Sequence, residues 1–256
     1  MMKKQLISLQ ISIASFKQVI DEIIILATKK QSAYVCIANV HMLVEAHNDA
    51  AFADIVNSAD MVTPDGMPLA KSIKWLYGIK QDRVAGMDVL PAVIEEAISK
   101  NLPVFFYGGS SQMLERTKAY IDTIYPQLQV GGMISPPFRP LTTEETEQDI
   151  AAINQSGAQI VFVVLGCPKQ EKWMHSMRGR IHAVMLGIGG ALPVMVGMQK
   201  RAPVWVQKSS LEWLYRLCQE PRRLFKRYAT TNTVFMWLLG KALLQKMFTR
   251  KSTGTH

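Results

Sequence analysis

The feature that most constrains this chain is a repeated alternation: short, continuous apolar runs are separated by stretches whose apolar residues recur at helical spacing. In Ser15 to Lys30 the apolar positions are Phe16, Val19, Ile20, Ile23, Ile24 and Ala27, which predicts a helix. The run AYVCIA follows and ends at Asn39. DMVTPDG then reads as a short strand entering a loop, and GMDVLPAVIEEAISKN as a helix with its proline in the first turn. PVFFYGGS reads as a strand ending in glycines and SQMLERTKAYIDTIYP as a helix. QLQVGGM, the proline-rich loop SPPFRP, a helix over Thr143 to Gln155 and the buried-strand runs QIVFVVLG and HAVMLGIGG complete the series. Strands that are apolar throughout and separated by helices predict a parallel sheet covered on both faces, a Rossmann-like α/β fold. Ligands of such sheets collect at the carboxyl ends of the strands. That rule selects Asn39, Asp65, Gly108 and Gly109, Gly166 with the PKQE segment behind it, and Gly187 to Gly190.

The 256 residues, 48% hydrophobic and 19% charged, suit a folded chain with a substantial core rather than a disordered one. Cys36, Cys167 and Cys218 are too far apart for a CxxC zinc pair or a disulfide framework, and read as reduced cytosolic thiols. At the N-terminus, MMKKQLISLQISIASF alternates polar with apolar residues and shows no clear small-residue cleavage site, so it reads as a strand rather than a signal peptide. The longest uncharged run, Ala183 to Met198, is shorter than the ~20 residues of a spanning helix and is interrupted by glycines and Pro193. Charge is distributed unevenly. Residues 199–256 hold 12 Lys+Arg against 2 Asp+Glu, whereas residues 1–198 hold 17 against 18. A tail of that kind attracts anionic lipid, phosphate or nucleic acid. The expected division is therefore an α/β catalytic domain over 1–197, of one or two sub-lobes, and a basic helical C-terminal appendage over 198–256, with the boundary near Gly197.

Several side chains have the chemistry for a site. YGGS and GIGGAL are strand-to-helix turns that let backbone N–H groups approach a diphosphate, although neither is a Walker A loop and neither meets GxGxxG cleanly. Asp65 in TPDGMPL is a carboxylate at a strand end, placed either to take a proton from an attacking hydroxyl or to cap a helix. Arg83 in RVAGMD either neutralises phosphate or pairs with Asp88. Gln170 and Glu171 in GCPKQEKW fall early in a helix, where Gln170 suits sugar hydroxyls; Trp173 and Met174 read as packing residues. His41 in ANVHML lacks metal-ligand neighbours and reads as structural. No Asp-x-Asp occurs, so arginines and helix ends are expected to balance a leaving diphosphate in place of a metal. Arg216, Arg223 and Arg227 recur near i+7 and i+4 and are expected to share a helix face. Trp205, Trp213 and Trp237 suit an interface, and VFMWLL (Val234 to Leu239) is expected to dip into one leaflet or pack on a neighbouring subunit. Two other functions fit the residues alone: a basic nucleic-acid-binding protein, and a nucleotide-cofactor enzyme using GIGGAL.

The motifs decide between these. ANVHML, TPDGMPL, RVAGMD, YGGS, GCPKQEKW, GIGGAL, RAPVWVQKSSLEWLYRL and EPRRLFKRY occur in an order that resembles the WecG/TagA/CpsF family of glycosyltransferases, over about Lys30 to Tyr228. The resemblance implies a Rossmann-like enzyme that inverts the transferred sugar, needs neither a divalent metal nor a cofactor, and moves sugar from a UDP-sugar donor to a polyprenyl-diphosphate-linked saccharide. It implies Asp65 as general base. Asn39, Thr63, Arg83, Gly108, Gly109, Gly166, Gln170, Glu171, Gly189 and Gly190 are the corresponding candidates for substrate binding, with Arg216, Arg223 and Arg227 reaching in from the tail. It further implies a peripheral location on the cytoplasmic face of the bacterial membrane, with the appendage on anionic lipid, no nucleic-acid partner and room for a homo-oligomer. Some relatives carry a threonine two residues before the asparagine, where this chain has Ile37.

Overall fold

The computed structural model describes residues 1–209 and 211–252, with side chains except those of Lys208, Arg223 and 249–252. Two short strands, β1 (Lys3–Leu6) and β2 (Leu9–Ser12), form an antiparallel hairpin. The main sheet comprises β3 (Ala33–Ala38), β4 (Met61–Pro64), β5 (Val104–Gly108), β6 (Val130–Ile134), β7 (Ile160–Val164) and β8 (Val184–Gly187). All its pairings are parallel, in the order β4-β3-β8-β7-β5-β6. The hairpin is fastened beside β4, where the Val62 N–H donates to Ser12 Oγ.

The strands β3, β5, β7 and β8 are buried along their whole length, which is why they read as unbroken apolar runs. Alternate residues feed two cores. Val35, Ile37, Phe106, Phe162 and Leu186 pack under α1 (Phe16–Thr28), whose Ser15–Gln18 capping box sets its start, and under α5 (Gly86–Ser99). Tyr34, Cys36, Tyr107, Val161 and Met185 face the opposite layer. That layer contains α2 (Val40–Asn48), α3 (Ala50–Asn57), α4 (Met67–Tyr77), α7 (Thr143–Gln155) and α8 (Lys169–Met177). In this layer Trp173 stacks on Tyr107 with centroids 4.2 Å apart, and Met174 is fully buried, as expected of packing residues. The helix α6 (Ser111–Ile124) follows β5, and its Ser110 cap accepts from Met113 N–H.

Past β8 come three short helices, α9 (Ala191–Met195), α10 (Val204–Lys208) and α11 (Glu212–Gln219), and then the long α12 (Pro221–Ser252). Four expectations change here. The expected common face of Arg216, Arg223 and Arg227 assumed one helix, but α11 ends before Glu220 and Pro221 opens α12. The residue before a proline disfavours helical geometry and proline lacks the N–H that would continue the ladder. Arg216 and Arg227 therefore project from different helices, and the Arg223 side chain lies outside those described. The VFMWLL segment packs on its own chain through Phe235, Leu238 and Leu239, against the layer containing α2 and α4, and exposes only Met236 and Trp237 among its large side chains. Pro91 is not in the first turn of α5, because that helix starts at Gly86 and places the proline inside it. GIGGAL leads into a helix of five residues, too short to present a strong positive end. No helix among the described residues is long and apolar enough to cross a membrane.

Candidate active site

The carboxyl ends of β3, β4 and β8 form one rim. Asn39, leaving β3, caps α2: its Oδ1 accepts from Met42 N–H at 3.1 Å. Asp65, leaving β4, donates its own N–H to the Ala38 carbonyl at 2.8 Å, which fixes the backbone across the two strands. The side chain is not the cap of α4, since Gly66 holds that position and no side chain caps the helix. Its Oδ1 instead accepts from the N–H of Gly86, the first residue of α5, at 3.0 Å. Burial pushes the carboxyl above its ordinary pKa, while the Arg216 guanidinium, the Gly86 N–H, Arg83 and Asn39 each favour the ionised form. Asp65 is thus a held carboxylate with more affinity for a proton than a solvated aspartate.

Two arginines from distant parts of the chain approach it. Arg83 is tied down: its guanidinium donates to Asp88 Oδ2 at 2.5 Å, to Glu212 Oε2 at 3.0 Å and to Gln207 Oε1 at 3.1 Å. Pairing with Asp88 is therefore real, and Arg201 pairs with the same carboxylate. Arg216, on α11, lies with Nη2 3.7 Å from Met87 Sδ and Nη1 3.7 Å from where a Cβ on Gly190 would stand. Glu212 was not singled out by the sequence reading. Its carboxyl is pushed above the ordinary range by burial and by the Asp65 charge, and pulled back by Arg216 and Arg83. The available signal was the Glu212-to-Arg216 spacing, four residues on one helix face.

The other candidates divide by place. Gln170 lies beside the rim, under the β8 exit: a Cβ on Gly187 would meet its Nε2 at 3.0 Å, and one on Gly189 its Oε1 at 3.2 Å. Those two glycines leave space that Gln170 fills. Its Nε2 donates to Glu171 Oε1 at 2.7 Å. Glu171 is fully buried, and burial raises its pKa. Gln170 Oε1, Glu171 Oε2 and Thr63 Oγ1 are buried without a hydrogen-bond partner among the described residues. Thr63 lies on β4 with its side chain in the layer of Met61, opposite to Gln170. Gly108 and Gly109 are two strands away from β8 along the sheet. At Gly108, with φ +105°, a Cβ would stand 2.5 Å from the Val164 carbonyl oxygen, so this glycine is a packing requirement. The Gly109 N–H is already used by that same oxygen, at 2.9 Å. Gly166, with φ +77°, has open space around it, and its carbonyl accepts from Gln170 N–H. The charge of Arg227 acts on His41, whose pKa is lowered first by burial and then by this guanidinium. The rim so assembled joins Asn39, Asp65, Arg83, Gly190 and Arg216, with Gln170 adjoining.

Among the described residues no group of three or more His, Cys, Asp or Glu side chains is arranged to hold a metal ion. A protected carboxylate close to guanidiniums, at the carboxyl edge of a parallel sheet, suits transfer of a group that departs as an anion. Residues 4–252 match the family model described as the glycosyl transferase WecG/TagA/CpsF family. The match covers nearly the whole chain, takes in both the Asp65 rim and the helices that carry Arg216 and Arg227, and agrees with the motif order. The chain therefore belongs to the WecG/TagA/CpsF family and is a glycosyltransferase of cell-surface polysaccharide synthesis.

Proposed function

We propose that the chain transfers a hexosyl or N-acetylhexosaminyl group from a UDP-sugar to a polyprenyl-diphosphate-linked saccharide in bacterial envelope synthesis, with inversion and without a metal or cofactor. The observation that carries this reading is the Asp65 carboxylate: held by Gly86 N–H, raised in proton affinity by burial, and favoured as the anion by the charge of Arg216. In the proposed step Asp65 takes the proton of an acceptor hydroxyl. The hydroxyl oxygen forms the new bond to the anomeric carbon, the bond from that carbon to the diphosphate breaks, and the electron pair leaves with UDP. The Arg216 guanidinium balances the developing negative charge. Asn39, Gln170, Gly189 and Gly190 surround the place where sugar and diphosphate meet, and Arg83 joins them if the substrate displaces its carboxylate partners. The metal-independent part of the reading rests on the lack of an Asp-x-Asp in the sequence.

Residues 198–256 work in this reading as an appendage that completes the rim and rests on the inner face of the cytoplasmic membrane. Trp205, Phe225, Met236, Trp237, Leu244 and Phe248 are exposed, and Lys226 and Lys241 are exposed among them. Each basic residue at an anionic surface contributes ~1 kcal/mol, weakened by salt.

Donor binding tests the nucleotide class. UDP or a UDP-sugar at 100 times its Kd, with EDTA present, is expected to stabilise the full chain by about 2.7 kcal/mol, seen as a rise in thermal midpoint. No rise with any uridine nucleotide, or a rise that needs added magnesium or manganese, would contradict the metal-free UDP site.

A further inference from the structure

The helix carrying Arg216 leans on the rest of the appendage, where Trp213 meets the Tyr228 ring of α12 edge-on with centroids 6.0 Å apart and Gln219 bonds the Lys200 backbone. None of the side chains of α11 is buried, although the preceding α10 contributes the buried Val206 and Gln207. Charge fastens it to the rim. Three guanidiniums, Arg83, Arg201 and Arg216, lie among three carboxylates, Asp65, Asp88 and Glu212. Within that balanced group Glu212 links α11 to the body of the enzyme. Its Oε2 accepts from Arg83 Nη1 at 3.0 Å, while Arg83 Nη2 donates to Asp88 at 2.5 Å and to Gln207 at 3.1 Å. The Glu212 side chain is 20% exposed and that of Arg83 15%, so solvent screens this pair less than a surface pair. Glu212 and Arg216 are four residues apart, in the favourable order of acid before base, and project from one face of α11. Fixing Glu212 on Arg83 brings Arg216, one turn on, against Met87 and Gly190.

The geometry points to Glu212 as a positioning residue of the transferase: its bond to Arg83 seats α11 and thereby holds the Arg216 guanidinium beside the Asp65 carboxylate. This role rests on the reading of Asp65 and Arg216 given above. Glu212 touches no reacting atom in this scheme and acts through Arg216. The bond also keeps Arg83 in one orientation, with both arms of its fork occupied.

Two measurements on the full chain separate the seating from the chemistry. In substrate-free protein, Glu212→Ala is expected to raise amide hydrogen exchange across α11 by about 10-fold or more, because the helix now opens locally, while β3 and β4 keep their protection. Glu212→Gln, which keeps the side chain's size, gives the same reading if the alanine variant unfolds. In transfer assays Glu212→Ala is expected to lower kcat by about 10-fold, within the ~10²-fold scale of an ångström-sized misplacement and no more than the loss of Arg216 itself, with a smaller change in donor KM. The double variant with Arg216→Ala should then be no slower than Arg216→Ala alone, since both changes remove one function. Unchanged exchange at α11 overturns the seating whatever the activity. Effects on kcat that multiply in the double variant overturn the action through Arg216. Raised exchange in a chain whose wild type transfers no sugar supports the seating and defeats the transferase chemistry instead.

Discussion

Replacing Asp65 with asparagine is expected to lower sugar transfer about 10²–10⁴-fold, the range for loss of a positioned general base, while leaving donor affinity nearly unchanged. The substitution keeps the shape of the side chain and an oxygen able to accept from Gly86 N–H, so the link between the end of β4 and the start of α5 is preserved. What it removes is the basic oxygen. The pH profile gives the sign. Below the Asp65 pKa the carboxyl carries its proton and takes none from the acceptor, so kcat/KM rises with pH through that pKa. Burial raises the pKa, which places the limb above the ordinary carboxylate range. The asparagine variant should lack the limb. Turnover near the wild-type value at saturating substrates would show that Asp65 serves only as a hydrogen-bond partner for the start of α5.

Arg216→Ala carries the second largest effect. A charge-assisted hydrogen bond is worth about 1.5–3 kcal/mol, so losing this guanidinium from the departing diphosphate is expected to slow transfer about 10–10²-fold. The same change removes the largest influence favouring ionised Asp65, the one that most opposes the effect of burial. The proton is then held more tightly, and the acid limb of kcat/KM moves to higher pH. Arg216→Lys restores charge without the planar fork and should recover the limb more fully than the rate. Thermal unfolding should change little, because α11 buries none of its side chains. A limb that stays in place in Arg216→Ala would separate Arg216 from Asp65 and leave the appendage without its role at the rim.

The sheet was legible because strands buried on both faces leave an unambiguous mark: AYVCIA, VFFYG, IVFVV and VMLG are apolar throughout, and each is a strand. The strand-end rule then placed Asn39 and Asp65 on one rim, because β3 and β4 are neighbours. What surrounds Asp65 was less legible, since Gly86 and Arg216 reach it from α5 and α11, and no local spacing encodes such contacts. The tail shows a different loss. Arithmetic on Arg216, Arg223 and Arg227 presumed one helix, although Pro221 lay in view as the break. VFMWLL looked apolar all round because the exposed Met236 and Trp237 are as hydrophobic as the buried Phe235 and Leu239. Helical position, not residue type, divides them. Glu212 was hidden for the opposite reason: an acid on a basic tail reads as a solvated charge until Arg83, far away in sequence, is found against it.

The most direct measurement is product formation by the full chain in the presence of EDTA. A panel of UDP-sugars is mixed with a short-chain polyprenyl-diphosphate saccharide, and both released nucleotide and extended lipid are followed by mass spectrometry. The account predicts that one UDP-sugar yields UDP and a lipid longer by one sugar in equal amounts, and that Asp65→Asn abolishes both under the same conditions. An unextended lipid with every donor, or equal extension by wild type and Asp65→Asn, would contradict it.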